Sequence, residues 1–157
     1  MSDAGVTVRR AGPGDLVTLR RFEQGIIAAE RPFDPTIKKG EVHYYDIGAL
    51  IASTDAFVAI AEAAGEPIGC GLARKKASPV YTDPSFHAYI GLMFVDPAYR
   101  GKGVSDAIIS RLTDWAKAAG LSEIRLEVYP DNASAVRAYV KAGFAPYMLE
   151  MRRGVGE

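Results

Sequence analysis

The stretch that most constrains this chain is YIGLMFVDPAYRGKGVSDAIISRLTDW, residues 89–115. It opens as an apolar, partly aromatic run from Tyr89 to Val95, the pattern of a buried strand. Asp96 and Pro97 end that strand, because proline has no N–H to give a ladder. Arg100-Gly101-Lys102-Gly103-Val104-Ser105 follows as a glycine-bearing turn. Val104, Ile108, Leu112, Trp115 and Ala119 then recur at helical spacing, so a helix starts at the turn. A strand, a glycine turn and a helix form a cradle for phosphate. The first helical turn has N–H groups without intrahelical partners, and the macrodipole adds partial positive charge there. Glycines let an anion approach the backbone, and Arg100 and Lys102 add full charges.

The glycine spacing matches neither GxGxxG nor GxxxxGK[ST], which argues against a nucleotide-binding domain for ATP or NAD. Arg100-x-x-Gly103-x-Ser105 instead resembles the pyrophosphate loop [RQ]xxGx[GA] of the GCN5-related N-acetyltransferases, the GNAT family, whose members bind acetyl-CoA. Ser105 stands where that pattern has Gly or Ala. A small serine suits a helix start, so binding is expected to survive the change.

A second segment, Asn132-x-x-Ala135-x-x-x-Tyr139-x-x-x-Gly143-Phe144, is similar to the family's Nxx[AS]xxxYxxxGF. Read from the residues alone it is a capped amphipathic helix. Asn132 stands at an N-cap position, and Asn132, Ala135 and Tyr139 share one face at i, i+3 and i+7. Gly143 suits the position just past the helix end.

Between and around these motifs the chain reads as one α/β domain over residues 1–157. Val6 and Val8 mark a first strand. Asp15 starts a helix with Leu16, Leu19, Phe22, Ile26 and Ala29 on its apolar face, ending before Pro32. Residues 30–41 form a loop, and a second helix runs from about His43 to Ser53. Residues 57–63 and 68–74 make a hairpin around Gly65-Glu66, and residues 77–85 form a loop. Ile124, Leu126 and Val128 alternate in a strand to Tyr129, and Tyr147, Leu149 and Met151 make a last one. The expected order is β-α-α-β-β-β-α-β-α-β, a mixed and splayed sheet flanked by helices, which is also the order of the GNAT fold.

Composition narrows the partners. The chain has 157 residues, with 19 Lys plus Arg against 19 Asp plus Glu. A balanced charge does not suggest a nucleic-acid or anionic-membrane partner. One cysteine, Cys70, rules out an internal disulfide and makes a metal cluster unexpected. Its place in Gly69-Cys70-Gly71 suits a small buried strand residue. No apolar run reaches the ~18 residues of a spanning helix, and residues 1–10 lack a signal-peptide core, so a cytoplasmic protein is expected.

What the resemblance implies is more specific. Backbone of Met93, Phe94 and Val95 would meet the pantetheine arm and the thioester carbonyl, on a strand that carries a bulge and splays from the next. Amides of Arg100, Gly101, Lys102, Gly103, Val104 and Ser105 would hold the pyrophosphate. The Asn132 side chain would bond the pantetheine arm. Tyr139, the expected catalytic residue, would protonate the departing thiolate. Homodimers are common in the family. Tyr89 falls where histone-acetylating members place a glutamate base, and a neutral tyrosine, with a pKa near ~10, is a poor base at pH 7. The base is therefore open among His87, Glu127, Glu30, Asp34 and His43. The acceptor, a small-molecule or peptide amine, is expected against residues 26–46, 77–89 and 145–152. These hold Glu30, Arg31, Phe33, Asp34, His43, Tyr44, Tyr45, Asp46, Tyr81 and Tyr147, a mixture that does not decide among amines. Arg74-Lys75-Lys76 reads as a solvated strand end or a contact for the coenzyme's 3′-phosphate. The competing reading is a non-catalytic acyl-CoA-binding or sensing module.

Overall fold

The structure is a computed structural model and describes residues 5–156. The chain divides into two compact units, residues 1–127 and 128–157. The first unit holds a five-stranded sheet in the order β1-β2-β3-β4-β5. Its strands are β1 (Val6–Arg10), β2 (Ala56–Ala63), β3 (Glu66–Ala77), β4 (Phe86–Val95) and β5 (Ile124–Arg125). The first three pairings are antiparallel and β4 with β5 is parallel. Helices α1 (Leu16–Glu30) and α2 (Ile47–Ala52) lie between β1 and β2, and α3 (Val104–Ala118) between β4 and β5.

The central strands are apolar on both faces because each face has its own core. On one face Leu19 and Phe22 of α1 and Ile47 of α2 meet Val58, Ile60, Cys70, Leu72 and Leu92. On the other, Val104, Ile108 and Leu112 of α3 meet Phe57, Ala59, Ile68, Ala73 and Ile90. Small residues on β3 let α3 sit close. A Cβ at Gly71 would lie 2.5 Å from Ile108 Cγ2 and 2.9 Å from Met93 Sδ.

Several expectations shift in detail. Helix α1 buries Leu19, Phe22, Glu23 and Ile27, while Ala29 is exposed. Asp15 does not cap α1 with its side chain. Its carboxylate takes Gly12 N at 2.8 Å and both Arg9 Nη atoms at 2.9 Å. Helix α2 begins at Ile47 rather than near His43, because Asp46 caps it by accepting from Ala49 N, and residues 43–45 are committed elsewhere. The strand expected to Tyr129 is two residues long.

The second unit contains α4 (Ala133–Lys141), with Asn132 as N-cap accepting from Ala135 N at 3.3 Å. Gly143 has φ 102°, the left-handed conformation of a helix-ending glycine, and Phe144 packs edge-on to Tyr139 at 5.9 Å between ring centroids. The strand expected over residues 147–151 is not formed: among the described residues, none follows α4. Alternation only makes a segment fit for a sheet, and a strand exists where a neighbour supplies the ladder.

Candidate coenzyme and acceptor site

The site begins with a fault in β4. Cys70 faces Phe94 and Leu72 faces Gly91, so Leu92 and Met93 together oppose Gly71. This is a β-bulge, and Leu92 takes φ 53° to make it. A leucine in the left-handed region is strained and holds only where its surroundings fix it. Two contacts do so. The Leu92 side chain is buried in the α1 core, and its carbonyl accepts the Cys70 thiol at 3.1 Å. Burial raises the Cys70 thiol far above its ordinary pKa, so Cys70 is a neutral strut for the bulge rather than a nucleophile.

Beyond the bulge β4 is left open on one edge. Its pairing with β5 covers only Ala88–Ile124 and Tyr89–Arg125, with one further bond from Ala88 N to Glu123 O at 2.9 Å. From Ile90 to Val95 no strand pairs with that edge among the described residues, although the Leu92 and Val95 carbonyls already accept the Cys70 thiol and Arg100 Nε. The splay and the bulge that the resemblance implied are both present. Phe94 itself stacks on Phe22 at 4.8 Å, and a Cβ at Gly25 would lie 2.7 Å from its ring.

The strand runs directly into the glycine turn. Asp96 closes a 3-10 turn over Pro97–Tyr99 by accepting from Ala98 N. Arg100 folds back, its Nε donating to Val95 O at 3.0 Å. Gly101 and Gly103 have φ 75° and 82°, which favours residues without Cβ. Gly103 is the N-cap of α3 and has no side chain to cap it, so the first amides of α3 present N–H groups to whatever lies in front of them. Val104 is buried and anchors the helix start, while Gly101, Lys102 and Gly103 are exposed. Lys102 Nζ hovers over the Tyr99 ring at 5.6 Å.

On the α1 face a second set of polar groups surrounds the bulge. Tyr89 donates to Glu127 Oε1 at 3.2 Å. Tyr45 reaches Tyr89 and the Leu92 backbone with its hydroxyl, and only a glycine at position 91 leaves room for it. Burial first, and then neighbouring Tyr45 and Glu127, push the Tyr89 hydroxyl above its ordinary pKa. Tyr44 donates to Glu30 at 2.8 Å, and burial raises the Glu30 carboxyl. Of the other candidate bases, His87 is buried and bonded to Ser78 Oγ at 2.8 Å, its pKa lowered by burial. Asp34 is tied to Thr36, and His43 sits between Glu23 and Glu41.

Sequence reasoning missed Glu23. It is fully buried in α1, yet it accepts Tyr44 N at 2.9 Å and Tyr45 N at 3.0 Å and contacts His43 Nδ1 at 3.1 Å. The signal was present, since Glu23 falls four residues after Leu19 and four before Ile27, inside the apolar stripe. Gln24 adds a bond to Val42 O at 2.8 Å and Arg31 one to Gly40 O at 2.6 Å. The loop carrying Tyr44 and Tyr45 is thus pinned to α1 by side chains.

A bulged strand thus leads through a glycine turn into a helix with no side-chain cap, the geometry of an α/β protein whose helix start can receive an anion. Residues 24–144 match the acetyltransferase (GNAT) family, and the chain belongs to it. An IAA acetyltransferase from Azospirillum brasilense is 33% identical over 103 residues, 66% of this chain and 63% of that protein. The chain thus spans less than two thirds of the length of that curated relative. The BH1408 protein from Bacillus halodurans superimposes with a TM-score of 0.82 at 19% identity, covering 95% of this chain and 99% of its own. A protein from Clostridium acetobutylicum, described as a predicted acetyltransferase and solved with acetyl-CoA, gives 0.67 at 21% identity, covering 94% and 96%. Among the described residues, no helix is long and apolar enough to cross a membrane.

Proposed function

We propose that the chain transfers an acetyl group from acetyl-CoA to an amine held beside it. The observation that carries the reading is the continuous run from the bulge at Leu92 through the open edge of β4 to the start of α3. The donor set fits the coenzyme: unpaired strand backbone suits an amide-bearing arm, and helix amides with Arg100 and Lys102 suit a pyrophosphate. Acetyl-CoA supplies a thioester, whose C–S bond breaks as the amide bond forms, while the amine loses a proton and the thiolate gains one.

The chain's own residues are assigned as follows. Backbone of Met93, Phe94 and Val95 binds the pantetheine arm, and one of its N–H groups polarises the thioester carbonyl. Amides of residues 100–105 hold the pyrophosphate. Glu127, through Tyr89, takes the proton of the amine, because it accepts the Tyr89 hydroxyl on the strand that runs into the bulge. The Nxx[AS]xxxY motif assigns Asn132 to the pantetheine arm and Tyr139 to the departing thiolate. The family match runs across residues of both units, which supports treating residues 1–157 as one domain.

The test is thermal stability with acetyl-CoA, coenzyme A, ATP and NAD. A ligand at ~100 times its Kd adds about 2.7 kcal/mol if it binds only the folded state. A rise with both coenzyme A forms and with neither ATP nor NAD is expected. No rise with either coenzyme form refutes the reading.

A further inference from the structure

Helix α1 carries a glycine in its middle. Gly25 neither starts nor ends the helix, and a glycine weakens a helix interior relative to alanine. Its reason lies on β4. A Cβ at position 25 would stand 2.7 Å from Phe94 Cε1 and 3.3 Å from Cζ. The Phe94 ring occupies that socket and stacks on Phe22, one turn earlier on the same helix face, with ring centroids 4.8 Å apart and planes 22° apart. The ring also packs against the α1 core. It has no simple way to swing aside, so a methyl at position 25 would push the strand.

The residue seated there matters for the site. Phe94 faces Cys70 and is the point where β4 regains register after the bulge. Its carbonyl is seated as closely on the other side, since a Cβ at Gly69 would lie 2.6 Å from Phe94 O. One glycine thus admits the side chain and another the backbone. Asp96 N donates to Ile68 O at 2.7 Å, while Val95 O accepts Arg100 Nε. Successive residues of an antiparallel strand point their backbone groups to opposite edges, so the Val95 N–H lies on the edge that β5 leaves open. The Phe94–Val95 peptide therefore carries an outward N–H whose position is set from α1. Two residues before Gly25, Glu23 takes the amides of Tyr44 and Tyr45. A single turn of α1 holds the acceptor-side loop through Glu23 and the coenzyme-side edge through Gly25.

Resting on the acetyltransferase reading, we propose that Gly25 is a positioning residue for the transfer. Acting through Phe94, it sets the Phe94–Val95 peptide against the thioester carbonyl, at a fixed separation from the acceptor loop. Gly25 touches neither substrate. A methyl there displaces the polarising edge while the glycine turn over residues 100–105 keeps its grip on the pyrophosphate, so the coenzyme still binds and its carbonyl loses its donor.

The experiment follows acetyl-CoA, isotopically labelled at its acetyl carbonyl carbon, by NMR in complex with the full chain and with Gly25→Ala, Phe94→Leu and the double variant. Coenzyme A affinity is measured by calorimetry, folding by urea midpoints and the Tyr44 and Tyr45 amides by hydrogen exchange. A hydrogen-bonded carbonyl carbon moves downfield, and that shift is expected in the wild-type complex. Gly25→Ala crowds the socket and Phe94→Leu leaves a void. Each should return the signal at least halfway to its free position, with coenzyme A affinity changed less than about threefold and both amides still protected. The double variant restores the summed volume and should lie closer to the wild type than either single variant does. Phe94→Leu carries the test by itself if Gly25→Ala does not fold. The assignment of Gly25 is overturned by a bound wild-type signal with no downfield shift, a shift that the folded variants keep, or a double variant no better than the singles. Loss of coenzyme A affinity or of amide protection in step with the shift overturns it as well. A wild type that binds neither coenzyme A nor acetyl-CoA refutes the acetyltransferase reading itself, a result the variants cannot imitate.

Discussion

Replacement of Glu23 by alanine offers the sharpest test of how the acceptor side is held. The Glu23 carboxylate accepts two backbone N–H groups, at 2.9 and 3.0 Å, and a third contact from His43 at 3.1 Å, all with no exposure of its own. Removing it orphans the amides of Tyr44 and Tyr45, at roughly 1–3 kcal/mol each. Against that, a buried carboxylate no longer has to be desolvated. The net expectation is a loss of about 3 kcal/mol, within the 3–5 kcal/mol typical when one partner of a buried charged set is deleted. For a chain of this size about 1 kcal/mol lowers Tm by ~2–4 °C, so a fall of roughly 6–12 °C follows. The loop has an alternative, which is to lift from α1 and let water reach the two amides. Urea denaturation at constant m reads the first route, and hydrogen exchange at the Tyr44 and Tyr45 amides reads the second. If Glu23→Ala moves the midpoint by less than about 0.5 kcal/mol and leaves both amides protected, the carboxylate is not the anchor and the reasoning fails.

Gly71→Ala places a methyl against Ile108 and Met93 and should cost about 1–3 kcal/mol by overpacking; an unchanged urea midpoint contradicts the tight approach of α3. The Arg9 guanidinium holds the Asp15 carboxyl below its ordinary pKa. A depressed carboxyl contributes stability above its unfolded pKa and loses it as pH falls through the folded one. Arg9→Gln should therefore lower stability by a constant amount at neutral pH and above, with the loss fading below about pH 4, so that the acid limb of the stability curve flattens; an equal loss at every pH contradicts the pairing. Tyr139→Phe should reduce thiol release by ten- to a hundredfold with the coenzyme-induced thermal shift intact; loss of both together assigns Tyr139 to binding. Glu127→Gln should lower kcat/KM most at low pH, where the free amine is scarce, and an unaltered pH profile removes it as base.

Much of the site was legible because it is local. The run from Tyr89 to Val104 announces strand, turn and helix through an apolar block, a proline and two glycines, and Gly101 and Gly103 adopt the positive φ that such a turn demands. The bulge was not legible from its own residues. Position 92 is a leucine next to a glycine, and the left-handed conformation falls on the leucine, because the α1 core and the Cys70 thiol hold it there. The start of α2 was misplaced for a similar reason. Residues 43–45 have helical spacing, but Glu23, some twenty residues earlier in the chain, takes the amides of Tyr44 and Tyr45. The alternation of Tyr147, Leu149 and Met151 suits a strand, yet no ladder forms there among the described residues, and those side chains are exposed. The bulge and the start of α2 are set by partners distant in sequence, and the unformed strand by a ladder that is not there, neither of which periodicity alone reports.

The lone thiol of Cys70 has a practical consequence. It is sealed at 0% exposure, spent on the Leu92 carbonyl and far too weakly acidic to react near neutral pH. The folded protein is therefore silent toward thiol reagents, and any thiol appearing during turnover reports released coenzyme without a background to subtract. The same silence lets a cysteine introduced at an exposed position such as Lys38 or Ser110 be labelled singly, so that a dye or spin probe can be placed without first removing a native thiol.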